Sequence, residues 1–148
     1  MKKDFSHRFG FLVNEVGRLY GRRFDQLARA ELGLSRAQCR LIGVLAAHDG
    51  DTPLSQAELA DRLDLTPMGI TSLCDRMAAA GWLRRSAHAT DRRVKHIELL
   101  PSAHEALDKA LALSDRLQAQ ALAGLSAAER SQLVTLLRKS RANLSESA

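Results

Sequence analysis

The chain has 148 residues and a net charge of +5, with 45% hydrophobic, 26% charged and only 4% aromatic side chains. These fractions sit near globular averages and argue against a disordered tail protein, and a core of Leu, Ala, Val and Ile favours helices over a sandwich or barrel. Two cysteines make no disulfide framework, the N-terminus lacks the apolar run of a signal peptide, and no apolar stretch approaches the ~20 residues of a membrane span, so a cytoplasmic, reduced protein is expected; its charge fits a polyanionic partner, nucleic acid or an anionic membrane surface, or equally a soluble protein that is merely basic.

Apolar residues at Phe5, Phe9, Leu12, Val13, Val16, Leu19, Tyr20, Phe24 and Leu27 recur in steps of three and four, which predicts a first amphipathic helix from Phe5, ended by Gly33. Ser35 caps a second, with Leu41, Ile42, Val44 and Leu45 on its apolar face. His48 to Pro53 reads as a loop. Ser55 followed by Glu58 is a capping box that opens a short helix, Gln56 to Leu63. After a tight connection at Asp64-Leu65, Thr66 caps a helix with Pro67 in its first turn; it runs to about Ala80, where Gly81 stops it.

From Leu83 to Leu100 the pattern changes. Arg84-Arg85-Ser86 and Lys95 to Leu99 flank a turn-like His88-Ala-Thr-Asp91, which predicts a β-hairpin ended by Pro101. Helical periodicity resumes at Leu107, Leu111, Ser114, Leu117, Ala121 and Leu122. A second capping box, Ser126 with Glu129, starts a last helix carrying Leu133, Leu136, Leu137 and Leu144.

Gln56 to Trp82 has the layout of a helix-turn-helix, in which the start of the second helix meets base edges in the major groove. Here that start is small or polar: Thr66, Pro67, Met68, Gly69, Thr71 and Ser72, while Ile70, Leu73 and Met77 point to the core. The hydroxyls of Thr71 and Ser72 suit bases or phosphate. The hairpin that follows carries Arg84, Arg85, Arg92, Arg93 and Lys95 against Asp91 and Glu98. An arginine at such a tip suits the negative potential of a narrow minor groove.

Gln56-x-x-Leu59-Ala60, Leu63 through Thr71, Gly81-Trp82-Leu83-x-Arg85 and, above all, Asp91-Arg92-Arg93 resemble the signature of the MarR family of bacterial transcription regulators. The resemblance spans nearly the whole chain. It implies a mainly α fold with a small β-wing: a winged helix-turn-helix lobe, residues 32–100, and a helical dimerisation lobe from residues 1–31 and 101–148, together one domain, 1–148. It also implies a homodimer on a palindromic double-stranded DNA operator, usually as a repressor, released by a small aromatic or anionic effector bound between the lobes. Within that pattern Thr71, Ser72 and their neighbours read the major groove. Arg76 holds phosphate or braces the wing, and Arg92 or Arg93 probes the minor groove with Asp91 orienting one of them. The chain departs from the pattern at Ser72, where an arginine is common, at Gln38-Cys39, where an aromatic is frequent, and at Leu100-Pro101 and His104 after the wing.

Candidate effector residues are His7, Phe11 and Arg18, spaced along the expected first helix, and Cys39, with surface exposure or a dimer contact as the alternative for the first three. Cys39 and Cys74 fall inside expected helices, where a free thiol behaves as a small hydrophobe. The five histidines show no metal-binding spacing, and no nucleophile with a neighbouring base or phosphate-cradling loop is present, so neither metal, cofactor nor catalysis is expected. The competing readings are a winged helix used for protein contact and a non-specific DNA-binding protein.

Overall fold

The computed structural model describes residues 1–88 and 90–146. Ala89 of the expected wing turn, and Ser147 and Ala148 of the expected C-terminal helical region, lie outside them. The chain divides into two compact units, residues 1–114 and 115–148.

Helix α1 covers Phe9–Leu32, α2 Arg36–Ala47, α3 Gln56–Leu63 and α4 Pro67–Ala79; strands β1 (Leu83–Ala87) and β2 (Lys95–Leu99) follow, then α5 (Pro101–Ala121) and α6 (Ala127–Glu146). The order and type of elements are those the sequence predicts. One start differs: α1 begins at Phe9 rather than Phe5. The Arg8 N–H instead closes a turn on Phe5 O at 2.9 Å, leaving Phe5 off the helix to stack on Phe11 at 4.7 Å.

The ends of the elements are set by local chemistry. Gly33 takes a left-handed φ of 68° and stops α1. Ser35 and Gln38 form a complete capping box at the start of α2, and Ser126 with Glu129 forms another before α6. At α3 only half of the expected box is made. Ser55 Oγ accepts from the Glu58 N–H at 3.1 Å, while the Leu54–Ser55 backbone pairs with β2, the Ile97 N–H donating to Leu54 O at 3.0 Å. Thr66 Oγ1 accepts from the Gly69 N–H at 3.0 Å and Pro67 occupies the first turn of α4. That helix ends in a Schellman motif, with Trp82 N–H to Met77 O and Gly81 N–H to Ala78 O, and Gly81 at φ 83°.

In residues 1–114, Ile70, Leu73, Cys74 and Met77 of α4 are buried with Leu59 and Leu63 of α3, Leu41 and Ile42 of α2, and Leu83 and Ile97 of the hairpin. Ala103, Ala106 and Ala110 of α5 join the same cluster. The strands pair antiparallel with Leu83 opposite Leu99 and Arg85 opposite Ile97. On α5 the buried stripe is Ala103, Ala106, Ala110, Leu113 and Leu117. Leu117 is 5% exposed, whereas Leu111 is 55% exposed. The alanines, which hydropathy weights lightly, mark the inner face. In residues 115–148, α6 leaves Leu133, Val134, Leu136, Leu137 and Leu144 exposed.

Among the described residues no helix is long and apolar enough to cross a membrane, and no group of three or more His, Cys, Asp or Glu is placed to hold a metal.

Candidate nucleic-acid interface

Burying Ile70, Leu73, Cys74 and Met77 turns the opposite face of α4 outward. Pro67, Met68, Thr71, Ser72, Asp75 and Arg76 form that exposed face. Met68 is 82% exposed. Gly69 sits behind them at the first turn: a Cβ there would lie 3.1 Å from Thr66 Oγ1, the atom that caps the helix. The small, neutral start expected of a groove-reading helix is thus present and accessible.

The hydroxyls of that face are not equivalent. Thr71 Oγ1 donates to Pro67 O at 2.8 Å and accepts from Gln56 Nε2 at 2.9 Å. Its donor is spent inside the protein, so as a reader of bases it offers a methyl group and one lone pair. Ser72 is exposed and its hydroxyl has no partner among the described residues.

The arginines also separate into two kinds. Arg84 is tied to Glu98, its cross-strand neighbour, through Nε at 2.8 Å and Nη2 at 2.7 Å. Arg85 is only 22% exposed and is drawn back from solvent. It donates through Nε to Gln56 Oε1 at 3.1 Å, through Nη1 to Asp75 Oδ1 at 2.6 Å and through Nη2 to Thr71 O at 3.3 Å. The brace between wing and helix, expected as one alternative for Arg76, is made by Arg85. Arg76 is exposed and carries no ion pair among the described residues.

At the wing tip Asp91 selects Arg93: it accepts from the Arg93 backbone N–H at 3.0 Å and from Nε at 3.2 Å. Those bonds hold the Asp91 carboxyl below its ordinary pKa. Arg92 is exposed and has no hydrogen bond or ion pair among the described residues. His88 Nδ1 accepts from the backbone N–H groups of Thr90 and Asp91, both at 3.1 Å, and so helps shape the turn.

The four candidate effector residues are not brought together. His7 precedes α1, because that helix begins two residues later. Phe11 and Arg18 flank an open groove with Asn14 and Glu15. Cys39 alone lines a cavity, of about 260 Å³, with Tyr20, Phe24, Arg36, Arg40, Gly43, Leu107 and Ser114 among its walls. Tyr20 and Ser114 share a hydroxyl–hydroxyl bond of 3.1 Å across it. Arg36 reaches this cavity because Gly21 has no side chain; a Cβ there would stand 3.0 Å from Arg36 Nε. Both thiols are buried. Burial, reinforced by Asp25, pushes the Cys39 thiol up to about 11, and burial raises Cys74 as well, against the pull of Arg85. Neither environment favours the thiolate that redox chemistry needs.

The sequence reading passed over Gln56, Asp75, Tyr20, Phe24, Arg36 and Arg40 as site residues. The i,i+4 spacing of Thr71 and Asp75 on the polar face of α4, and of Arg36 and Arg40 on α2, was the signal available for them.

Residues 32–94 match the MarR family. The transcriptional regulator PA3341 is 31% identical to this chain, with 93% of this chain and 98% of that one covered at a TM-score of 0.76. Two further structures speak to the fold. MepR of S. aureus, solved in a complex with DNA, is 22% identical over 91% of this chain and 97% of its own, at a TM-score of 0.75. BpsR of Bordetella bronchiseptica, whose DNA binding is regulated by 6-hydroxynicotinic acid, is 21% identical over 95% and 98%, at a TM-score of 0.76.

Proposed function

The chain belongs to the MarR family of transcription regulators, and from that premise we propose that it is a sequence-specific binder of double-stranded DNA, acting as a homodimeric repressor that a small effector releases. One observation carries the reading: α4 presents an exposed face of Pro67, Met68, Thr71, Ser72 and Arg76 beside a wing whose Arg92 is unpaired among the described residues. A small-faced helix suits the major groove and a free arginine at a hairpin tip suits the minor groove or its phosphates. In this reading residues 32–100 hold the DNA, with Thr66 and Gly69 shaping the helix start, while residues 1–31 and 101–148 pair two copies. The apolar side chains of Phe9, Leu12, Val13, Val16 and Leu19, each at least 43% exposed, support the pairing; burying each is worth about 1.5–3 kcal/mol. A palindromic operator follows, with recognition helices about 34 Å apart.

The effector site is the cavity beside Cys39. Its apolar walls suit a ring, and Arg36 and Arg40 suit an acid group. BpsR, of the same fold, is regulated by an aromatic acid, which supports a small aromatic or anionic compound here.

Selection of bound duplexes from a random pool tests the reading. A palindromic consensus, bound about a thousandfold or more tighter than random DNA, is expected. Equal binding to all duplexes indicates a non-specific DNA-binding protein; binding to none indicates a protein-interaction module.

A further inference from the structure

The bonds around Arg85 join three elements: α3, α4 and β1. Gln56 is the first residue of α3, Thr71 and Asp75 lie one turn apart on α4, and Arg85 is on β1. Gln56 turns its two amide atoms in different directions, Nε2 to Thr71 Oγ1 and Oε1 to Arg85 Nε. Arg85 closes the circuit on the Asp75 carboxylate and the Thr71 carbonyl. Every bond in the circuit has a donor and an acceptor, and the guanidinium is mostly shielded from water. Such a connected network fixes its members more firmly than separate pairs do.

We propose that Gln56, Thr71, Asp75 and Arg85 form a positioning unit that sets the wing's angle to α4, and that Arg92 reaches DNA only when that angle is held. The inference rests on the DNA-binding reading above. Arg85 touches no base or phosphate in this account, because its donors face inward. Asp75, an acid on the DNA-facing side of α4, is tolerated there because Arg85 neutralises it. The fork of a guanidinium is required: a lysine would keep the charge but could not reach three acceptors at fixed angles.

The test compares Arg85→Lys, Arg92→Ala and the double variant of the full-length protein. Affinity is measured on a selected operator, and amide hydrogen exchange across residues 83–99 is measured on the DNA-free protein. A direct phosphate contact would largely survive Arg85→Lys, and whatever small loss it caused would add to that of Arg92→Ala. The positioning unit predicts the opposite. Arg85→Lys weakens binding about tenfold, and Arg92→Ala then costs less than about twofold more, a coupling inside the range measured for networked pairs. Wing amides exchange about tenfold faster without DNA, while α1 and α2 amides stay as they were. Additive losses with unchanged wing exchange overturn the proposal. If Arg85→Lys lowers stability throughout the chain, Gln56→Met, which removes one arm of the circuit, replaces it in the same cycle. Should the unaltered protein bind no duplex, the DNA-binding reading fails, and wing exchange in the free protein still decides whether the unit holds the wing.

Discussion

Replacing Arg92 by Ala should flatten the salt dependence of operator binding, and replacing Arg84 by Ala should not. The two arginines sit on the same hairpin and carry the same formal charge, so a count of basic residues predicts equal effects. The structure separates them. Arg84 is held by Glu98 at 2.7 Å, so the pair presents almost no net charge to a phosphate. Arg92 is exposed with no partner among the described residues. Each phosphate neutralised contributes about 0.9 to the slope of log affinity against log salt. A dimer has two wings, so Arg92→Ala should reduce the slope by about 1.8. Between 50 and 200 mM salt that amounts to about twelvefold less loss of affinity than in the unaltered protein. Fluorescence anisotropy of an operator fragment at four salt concentrations measures it. An equal flattening by Arg84→Ala, or an unchanged slope with Arg92→Ala, would refute the assignment of free and committed arginines.

Light scattering should report about twice the 16.2 kDa chain mass, and Val16→Glu, at a position 60% exposed in the single chain, should give a folded monomer; an unaltered protein that is monomeric at micromolar concentration contradicts the dimer. Cys39, with its thiol pushed up to about 11 from an ordinary 9, should alkylate at pH 7 about a hundredfold more slowly than a free thiol even before access is counted, since two pKa units cut the thiolate a hundredfold; rapid labelling of the folded protein would show an opening at α2 that the structure lacks. Asp25 accepts from the Arg36 N–H and from Arg29, which hold its carboxyl below the ordinary 3.8. Its contribution is full above that value and lost as pH falls through the lower folded one. The gap in urea midpoint between the unaltered protein and Asp25→Asn should therefore shrink in acid, and a gap that widens below pH 4 would reverse the sign of the argument.

The helices and the wing were legible because their ends are written locally. Ser35, Ser55, Thr66, Pro67 and Gly81 act on neighbours within a few residues, and the structure uses each at its expected place. Where a local signal competed with a distant partner, the reading fell short. The Ser55–Glu58 box makes only one arm, and the backbone at its start pairs with β2, some forty residues on, a contact no local spacing signals. His7 shared a helical spacing with Phe11 and Arg18, but no cap starts a helix ahead of it, and the chain turns there instead. On α5 the buried stripe takes in Ala103, Ala106 and Ala110 beside Leu113 and Leu117, and the leucine periodicity did not single out those alanines. Within the candidate site, the accessible start of α4 followed from periodicity alone. The division of labour among Arg84, Arg85, Arg92 and Arg93 did not, because Arg85 finds its partners ten and twenty-nine residues away.

That division bears on how such a regulator can be switched. Glu98, Asp75 and Asp91 pair with Arg84, Arg85 and Arg93, leaving Arg76, Arg92 and Lys95 exposed and without an ion pair among the described residues of α4 and the wing. Few free cations mean few released counterions, hence modest affinity for random DNA and a greater share of binding carried by fit. In the proposed positioning unit, fit depends on the angle between α4 and the wing, which is held by bonds within the protein rather than by phosphate attraction. An effector that couples to DNA binding by 1–3 kcal/mol shifts affinity by about 5- to 150-fold. Against a binding mode dominated by many phosphate contacts, a shift of that size would leave the protein on DNA. Against one that depends on a held angle and a few free arginines, as proposed for this chain, the same shift would empty the operator while the protein kept little affinity for the DNA around it.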